Sequence, residues 1–149
     1  MCVVVQRVKR AKVSVDNEPV GEIGEGLLVL LGAGKGDTES DVDYVVNKVI
    51  GLCIFEDGDG KMNLSLLDVG GELLVVNQFT LYGDTRKGRR PSFADALEPG
   101  EVDRLVRLFA DKTAGAGIRI ATGCFVVRMD VEFVNYGPVT ILIDSKKSF

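Results

Sequence analysis

The sequence predicts a strand-rich α+β domain with two main helices. Three observations lead there. Short apolar runs and strict alternations recur, at Leu27 to Gly32, Leu73 to Val76 and Phe125 to Phe133. Two other stretches repeat apolar residues at i, i+3, i+4 and i+7. Turn-forming Gly, Pro, Asn and Asp punctuate the chain, yet no repeat or Pro/Ser-rich linker marks a boundary, so residues 1–149 read as one domain.

Each element follows in order. Met1 to Lys35 reads as strands. Val13-Ser14-Val15 and Val20 to Ile23 flank Asp16-Asn17-Glu18-Pro19, a hairpin signal. Gly24-Glu25-Gly26 is a second turn, and Leu27 to Gly32 a strand buried on both faces. Val42, Val45, Val46 and Val49 then form one face of a helix, opened by Thr38 and Asp41 in a variant capping box. Asp57-Gly58-Asp59-Gly60 is a turn; the distal glutamate of a calcium loop is missing. Leu73 to Val76 is a strand running into Asn77-Gln78-Phe79-Thr80-Leu81, and Gly83 to Pro91 is a polar loop. The second helix spans about Pro99 to Thr113, with Val102, Leu105, Val106 and Phe109 inward and Gly115 and Gly117 at its end. Phe125, Val127, Met129, Val131 and Phe133 alternate as a half-buried strand, and Gly137-Pro138 turns the chain into a last strand, Val139 to Ile143.

Composition narrows the chemistry. Hydrophobic residues make up 46% of the 149, enough for a sizeable core. Histidine is absent, which excludes Ser-His and Cys-His nucleophile pairs, His-ligated zinc and any imidazole base. Cys2, Cys53 and Cys124 form no C-x-x-C pair and read as reduced thiols, so no metal or cofactor is called for. The longest apolar run is far short of the ~20 residues that span a bilayer, and the first residues lack signal-peptide order, so the expectation is a soluble cytoplasmic protein without a membrane partner. A net charge of −4 argues against a generic coat for DNA or other nucleic acid. Arg7, Lys9, Arg10 and Lys12 form one basic cluster, Arg86, Lys87, Arg89 and Arg90 another; on charge alone both read as solvated.

Conventional catalytic motifs run out. Ser65 and Ser92 have no evident base, the acids offer no glycosidase-like dyad, and Gly32-Ala33-Gly34-Lys35-Gly36 fits no phosphate-loop pattern. Two unusual segments remain. Asn77-Gln78-Phe79-Thr80-Leu81 reads as a strand leaving the core, with Gln78 and Thr80 toward solvent. Asn135-Tyr136-Gly137-Pro138-Val139-Thr140 reads as a proline-containing hairpin turn.

Several segments in order carry a resemblance. Gln6-Arg7-Val8, Gly26 to Gly32, Phe55, Gly60-Lys61-Met62-Asn63-Leu64, Asn77 to Leu81, Arg90-Pro91-Ser92-Phe93, Thr122-Gly123, Phe125, Met129 and Gly137-Pro138-Val139-Thr140 together resemble the D-aminoacyl-tRNA deacylase family over essentially the full length. The resemblance implies a β-barrel-like domain that works as a homodimer with active sites at the interface. It implies hydrolysis of the ester between a D-amino acid, or mischarged glycine, and the terminal adenosine of tRNA. Gly137-Pro138 would be a cis dipeptide entering the partner's pocket, held by Arg7. Gln78, Phe79 and Thr80 would line the opposite wall, with Asn77, Phe125 and Met129 in the pocket. Arg86, Lys87, Arg89 and Arg90 would meet acceptor-stem phosphates.

The physics agrees with that expectation. A rigid backbone slot admits a D-residue or glycine and rejects an L side chain by collision. An aminoacyl ester is already activated, so position and backbone N–H donors, those of Gln78 and Phe79, would suffice for the developing oxyanion. Thr80 would orient water or substrate; nothing activates it as a nucleophile. Two departures stand out: Asn77 replaces the family's usual serine, and Val126-Val127-Arg128 fills a stretch where the family often has small residues and an acid. Two other readings stay in view, a non-catalytic tRNA-binding dimer of the same fold and a relative that edits an L-aminoacyl-tRNA.

Overall fold

The computed structural model describes residues 1–149 throughout. β1 (Cys2–Val15) and β2 (Glu18–Ile23) form an antiparallel hairpin whose loop residues Asp16 and Asn17 both have positive φ, 49° and 66°. A two-residue loop of that kind matches the strand twist. It is shorter than the expected four-residue turn, and Pro19 therefore sits in β2 opposite Ser14. β3 (Gly26–Gly32) pairs antiparallel with the first half of β1 and is buried on both faces, as its continuous apolar run predicts.

α1 (Glu39–Gly51) begins at the Thr38–Asp41 capping box. A small hairpin, β4 (Phe55–Glu56) and β5 (Met62–Leu64), encloses the Asp57–Gly60 turn. A one-turn helix, α2 (Leu66–Val69), then leads to β6 (Glu72–Asn77), which lies parallel to β3. α3 (Pro99–Gly115) returns the chain to β7 (Ile120–Thr122), parallel to β6. Both parallel pairs thus have a helix in the connection, which their geometry requires. β8 (Asp130–Asp144) runs antiparallel along β1, from Cys2↔Asp144 to Ser14↔Asp130.

The order β2-β1-β3-β6-β7, with β8 also on β1, curls into a barrel-like sheet. Gly21 lets β2 close against β7: a Cβ there would stand 2.6 Å from the Thr122 carbonyl oxygen. α1 and α3 cover one face, packing Val42, Val45, Val49, Leu105 and Phe109 onto Val3, Val5, Leu27, Val29, Leu31 and Val75. Val8, Val13, Ile23, Leu28, Leu74 and Val76 fill the inside of the curl. At one corner the Met1 ammonium meets buried Asp37 at 2.6 Å. Asp41 there accepts hydrogen bonds from Ser145 Oγ (2.6 Å) and the Thr38 N–H (2.8 Å), and pairs with Lys146 Nζ at 2.9 Å. Burial alone would raise the Asp41 carboxyl, but those donors outweigh it and hold it well below the usual carboxylate range. No helix is long and apolar enough to cross a membrane.

Three sequence expectations are corrected. Residues 125–129 are not strand: the chain turns there, with Val126 at φ 56°. β1 bends into its hairpin beyond Val15, so residues before Asp130 have no ladder partner despite their alternation. Gly137-Pro138 does not reverse the chain, because both halves of β8 pair with the same strand in the same sense. Asn77 ends β6, and Phe79–Tyr82 form a 3₁₀ turn instead of a strand end.

Candidate functional site

Two groups of candidate residues stand on separate parts of the chain. The first is a bulge in β8. Gln6 pairs with Thr140 and Val8 with Asn135, so Tyr136 to Val139 loop out opposite Arg7 alone. Asn135 spans the loop: its Oδ1 accepts from the Val139 N–H (3.1 Å) and its Nδ2 donates to Thr140 Oγ1 (3.1 Å). The Arg7 side chain fills the gap. Its Nε donates to the Tyr136 carbonyl at 2.9 Å, its Nη1 to the Ile54 carbonyl at 2.7 Å, and the guanidinium lies 4.7 Å from the Tyr136 ring centroid. Only 2% of Arg7 is exposed, whereas Gly137 and Pro138 stand out into solvent. The Gly137-Pro138 peptide is cis and Gly137 has φ 125°. A Cβ at Gly137 would lie 2.6 Å from Arg7 Nη2, so only glycine fits.

The second group lines a cavity of about 680 Å³ at the end of β6. Asn77, Gln78 and Phe79 form one side; Phe125, Val127 and Met129 form another; Phe93, Leu97, Glu98 and Pro99 complete it. Phe79 and Phe93 meet edge to face with centroids 5.1 Å apart. The sharp exit from β6 is fixed locally: the Gln78 N–H donates to Leu31 O at 2.8 Å, and the Leu81 N–H returns to Gln78 O at 3.2 Å. That overturns one expectation, since a Gln78 N–H held in the sheet cannot serve an oxyanion. The N–H groups of Phe79 and Thr80 begin the 3₁₀ turn, where the turn itself provides no acceptor. Thr80 is exposed and is not part of the cavity wall; Gln78 Nε2 donates to its Oγ1.

The structure therefore groups Asn77, Gln78, Phe79, Phe125 and Met129, and separately Arg7, Gly137 and Pro138. It does not bring the two groups together. Sequence reasoning gave no role to Asn135, although the residue was in view, and missed Leu97, Glu98 and Pro99, whose place depends on how α3 docks. Of the basic loop, Arg86 is tied to Asp84 by two side-chain hydrogen bonds of 2.9 and 2.7 Å, which hold the Asp84 carboxyl at about 2. Lys87, Arg89 and Arg90 are exposed, as is Arg128.

Comparison with known proteins fits this anatomy to an enzyme class. The sequence profile described as D-Tyr-tRNA(Tyr) deacylase matches residues 4–144. A D-aminoacyl-tRNA deacylase of Desulfitobacterium hafniense is 57% identical over 146 residues, 98% of each chain. Another, of Clostridioides difficile, is 56% identical over the whole of both chains. Among solved structures, a c-Myc DNA Unwinding Element Binding Protein superposes with TM-score 0.91 at 37% identity, covering 97% of this chain and 98% of that one. A probable eukaryotic D-amino acid tRNA deacylase shares the fold, with TM-score 0.80 at 20% identity, over 96% and 98%. The chain is a hydrolase. It belongs to the D-Tyr-tRNA(Tyr) deacylase family.

Proposed function

We propose that residues 1–149 act as one deacylase domain in a cytoplasmic homodimer, hydrolysing D-aminoacyl-tRNA to free D-amino acid and free tRNA. The observation that carries this reading is the separation of the half-sites. An exposed, rigidly held glycine bulge on β8 has no cavity beneath it, and the cavity beside β6 has no chiral wall. A two-fold dimer that seats the bulge of one protomer in the cavity of the other supplies both. Exposed Phe133, Tyr136 and Leu142 along β8 support such an interface.

In that arrangement the apolar cavity takes the terminal adenosine, and Phe79 and Thr80 N–H groups face the ester carbonyl. Water adds to the carbonyl carbon, the oxyanion rests on those donors, and the ribose oxygen leaves with a proton, helped by the neighbouring ribose hydroxyl. Thr80, bonded by Gln78, orients water or substrate; no titratable group stands by to make it a nucleophile. Backbone at Gly137-Pro138 meets the Cα of the amino acid. It admits a D-residue or glycine, including glycine mischarged on tRNA-Ala, and collides with an L side chain. Lys87, Arg89 and Arg90 are free to meet acceptor-stem phosphates.

Purified protein tests the activity: D-tyrosyl-tRNA is consumed and both products appear. Tight tRNA binding without turnover would favour a non-catalytic binding dimer, and selective loss of an L ester would favour an L-editing relative. The shared site has its own test. Mixing a Met129→Trp protein, whose cavity is filled, with a Gly137→Ala protein restores about a quarter of the wild-type rate, because half the dimers are mixed and each holds one intact site. No recovery on mixing would place both half-sites in one subunit.

A further inference from the structure

We infer that Asp57 is a positioning residue for the Gly137-Pro138 bulge, acting through the Ile54 carbonyl and Arg7; the inference rests on the reading of that bulge as a stereochemical filter. Arg7 is almost wholly buried yet pairs with no carboxylate. A buried cation normally has a counter-charge, so the place of this one depends on the few acceptors it meets. Its side chain donates to two carbonyls, Tyr136 at 2.9 Å and Ile54 at 2.7 Å. Tyr136 belongs to the bulge itself. Ile54 is therefore the hydrogen-bonded hold on Arg7 from outside the bulge.

What aims the Ile54 carbonyl is the hairpin that follows it. Packing of the Ile54 and Phe55 side chains in the core sets their depth. The direction of the peptide between them depends on Phe55 pairing with Leu64 across β4 and β5. That ladder has two residues on one strand and three on the other, with a register shift between Phe55 and Glu56, and it stands apart from the main sheet. So short a ribbon does not persist on its strand bonds alone. Asp57 supplies the rest. Its Oδ1 accepts from the Asp59 and Lys61 N–H groups at 2.9 and 3.0 Å, and its Oδ2 accepts from Asn63 Nδ2 at 2.7 Å. One carboxylate thus ties the turn to β5, although it is part of neither the cavity wall nor the bulge. Losing it frees Phe55 from Leu64, lets the Ile54 carbonyl swing, and loosens Arg7 behind Gly137.

The test compares Asp57→Ala with Asp57→Asn. Asparagine keeps an oxygen for the two N–H groups and turns its amide nitrogen toward Asn63, whose own amide can flip to accept. With enzyme in excess over tRNA, Asp57→Ala is expected to raise loss of L-tyrosyl-tRNA relative to D-tyrosyl-tRNA by about fivefold or more, the worth of one neutral hydrogen bond, while Asp57→Asn stays within about twofold of wild type. A smaller folded fraction slows both esters alike and leaves that ratio unmoved. The Arg7 Nε–H signal in NMR, assigned by its absence in Arg7→Lys, is expected to exchange with water faster in Asp57→Ala. Asn63→Ala, which removes one of the three bonds to the Asp57 side chain, takes the place of Asp57→Ala if that variant does not fold. An unmoved ratio in the folded variant overturns the inference, as does Asp57→Asn leaking as much as Asp57→Ala. Wild-type protein that consumes both esters alike, or neither, overturns the filter reading instead, and the Arg7 exchange rate then decides whether Asp57 holds Arg7.

Discussion

Replacing Gly137 by alanine tests the bulge where it is tightest. The new methyl would sit 2.6 Å from Arg7 Nη2 and 2.9 Å from Val139 Cγ2, both inside contact distance. Arg7 cannot swing away freely, because it is buried and bonded to the Tyr136 and Ile54 carbonyls. The backbone at φ 125° adds strain of about 1–3 kcal/mol for any L-residue. Losing one hydrogen bond from a charged group adds about 1.5–3 kcal/mol. Together these come to ~2.5–6 kcal/mol, a fall in melting temperature of roughly 5–24 °C for a domain of this size. Calorimetry of Gly137→Ala beside two controls is the assay. Gly36→Ala has positive φ but open space and pays only the strain, while Gly51→Ala, in α1 with open space, is neutral or stabilising. Adding Arg7→Ala to Gly137→Ala should cost less than the sum of the two single changes, since the clash partner is gone. A Gly137→Ala protein melting within about 2 °C of wild type would refute the packing argument.

Three further outcomes follow. Arg89→Ala with Arg90→Ala should weaken tRNA binding and lower the slope of log affinity against log salt by about 1.5–2, while Arg86→Ala, already neutralised by Asp84, changes it less; an unchanged slope in filter binding takes Arg89 and Arg90 off the RNA surface. Asp41 has a folded pKa below its unfolded value, so its stabilisation is full above the unfolded value of about 3.9 and is lost as pH falls toward the folded one. Asp41→Asn should flatten the acid arm of melting temperature against pH, leaving the residual slope of Asp144, which is also held down; an unaltered arm contradicts the assignment. Thr80→Ala should slow turnover by about 2- to 12-fold, the worth of one neutral hydrogen bond. Abolished turnover, with an acyl group trapped on Thr80 by mass spectrometry in wild type, would make Thr80 the nucleophile instead.

Much of the fold was legible because its signals are local. The Val42-Val45-Val46-Val49 face, the Thr38–Asp41 cap and the Leu27–Leu31 run each encode their element in a few residues. What failed was decided by partners distant in sequence. Phe125 to Met129 alternate like a strand, but β1 has already turned away and offers no ladder. Gly137-Pro138 looks like a turn, and only the length of β1 makes it a bulge in one continuous strand. The Ser65–Asp68 capping box would have announced α2. The short β7 is defined by pairing with β6 alone. At the site, the sequence order of motifs brought the residues into view, yet it could not reveal that the Gln78 N–H is spent on Leu31 or that Arg7 bonds Ile54. Those are long-range contacts that no local pattern records.

Parallel deacylation of D-tyrosyl-, L-tyrosyl- and glycyl-tRNA by the purified protein tests the central claim most directly. A backbone filter at Gly137-Pro138 predicts rapid loss of the D-tyrosyl and glycyl esters, with the L-tyrosyl ester decaying only at its spontaneous rate. Loss of the L-tyrosyl ester as fast as the D-tyrosyl ester would contradict that filter.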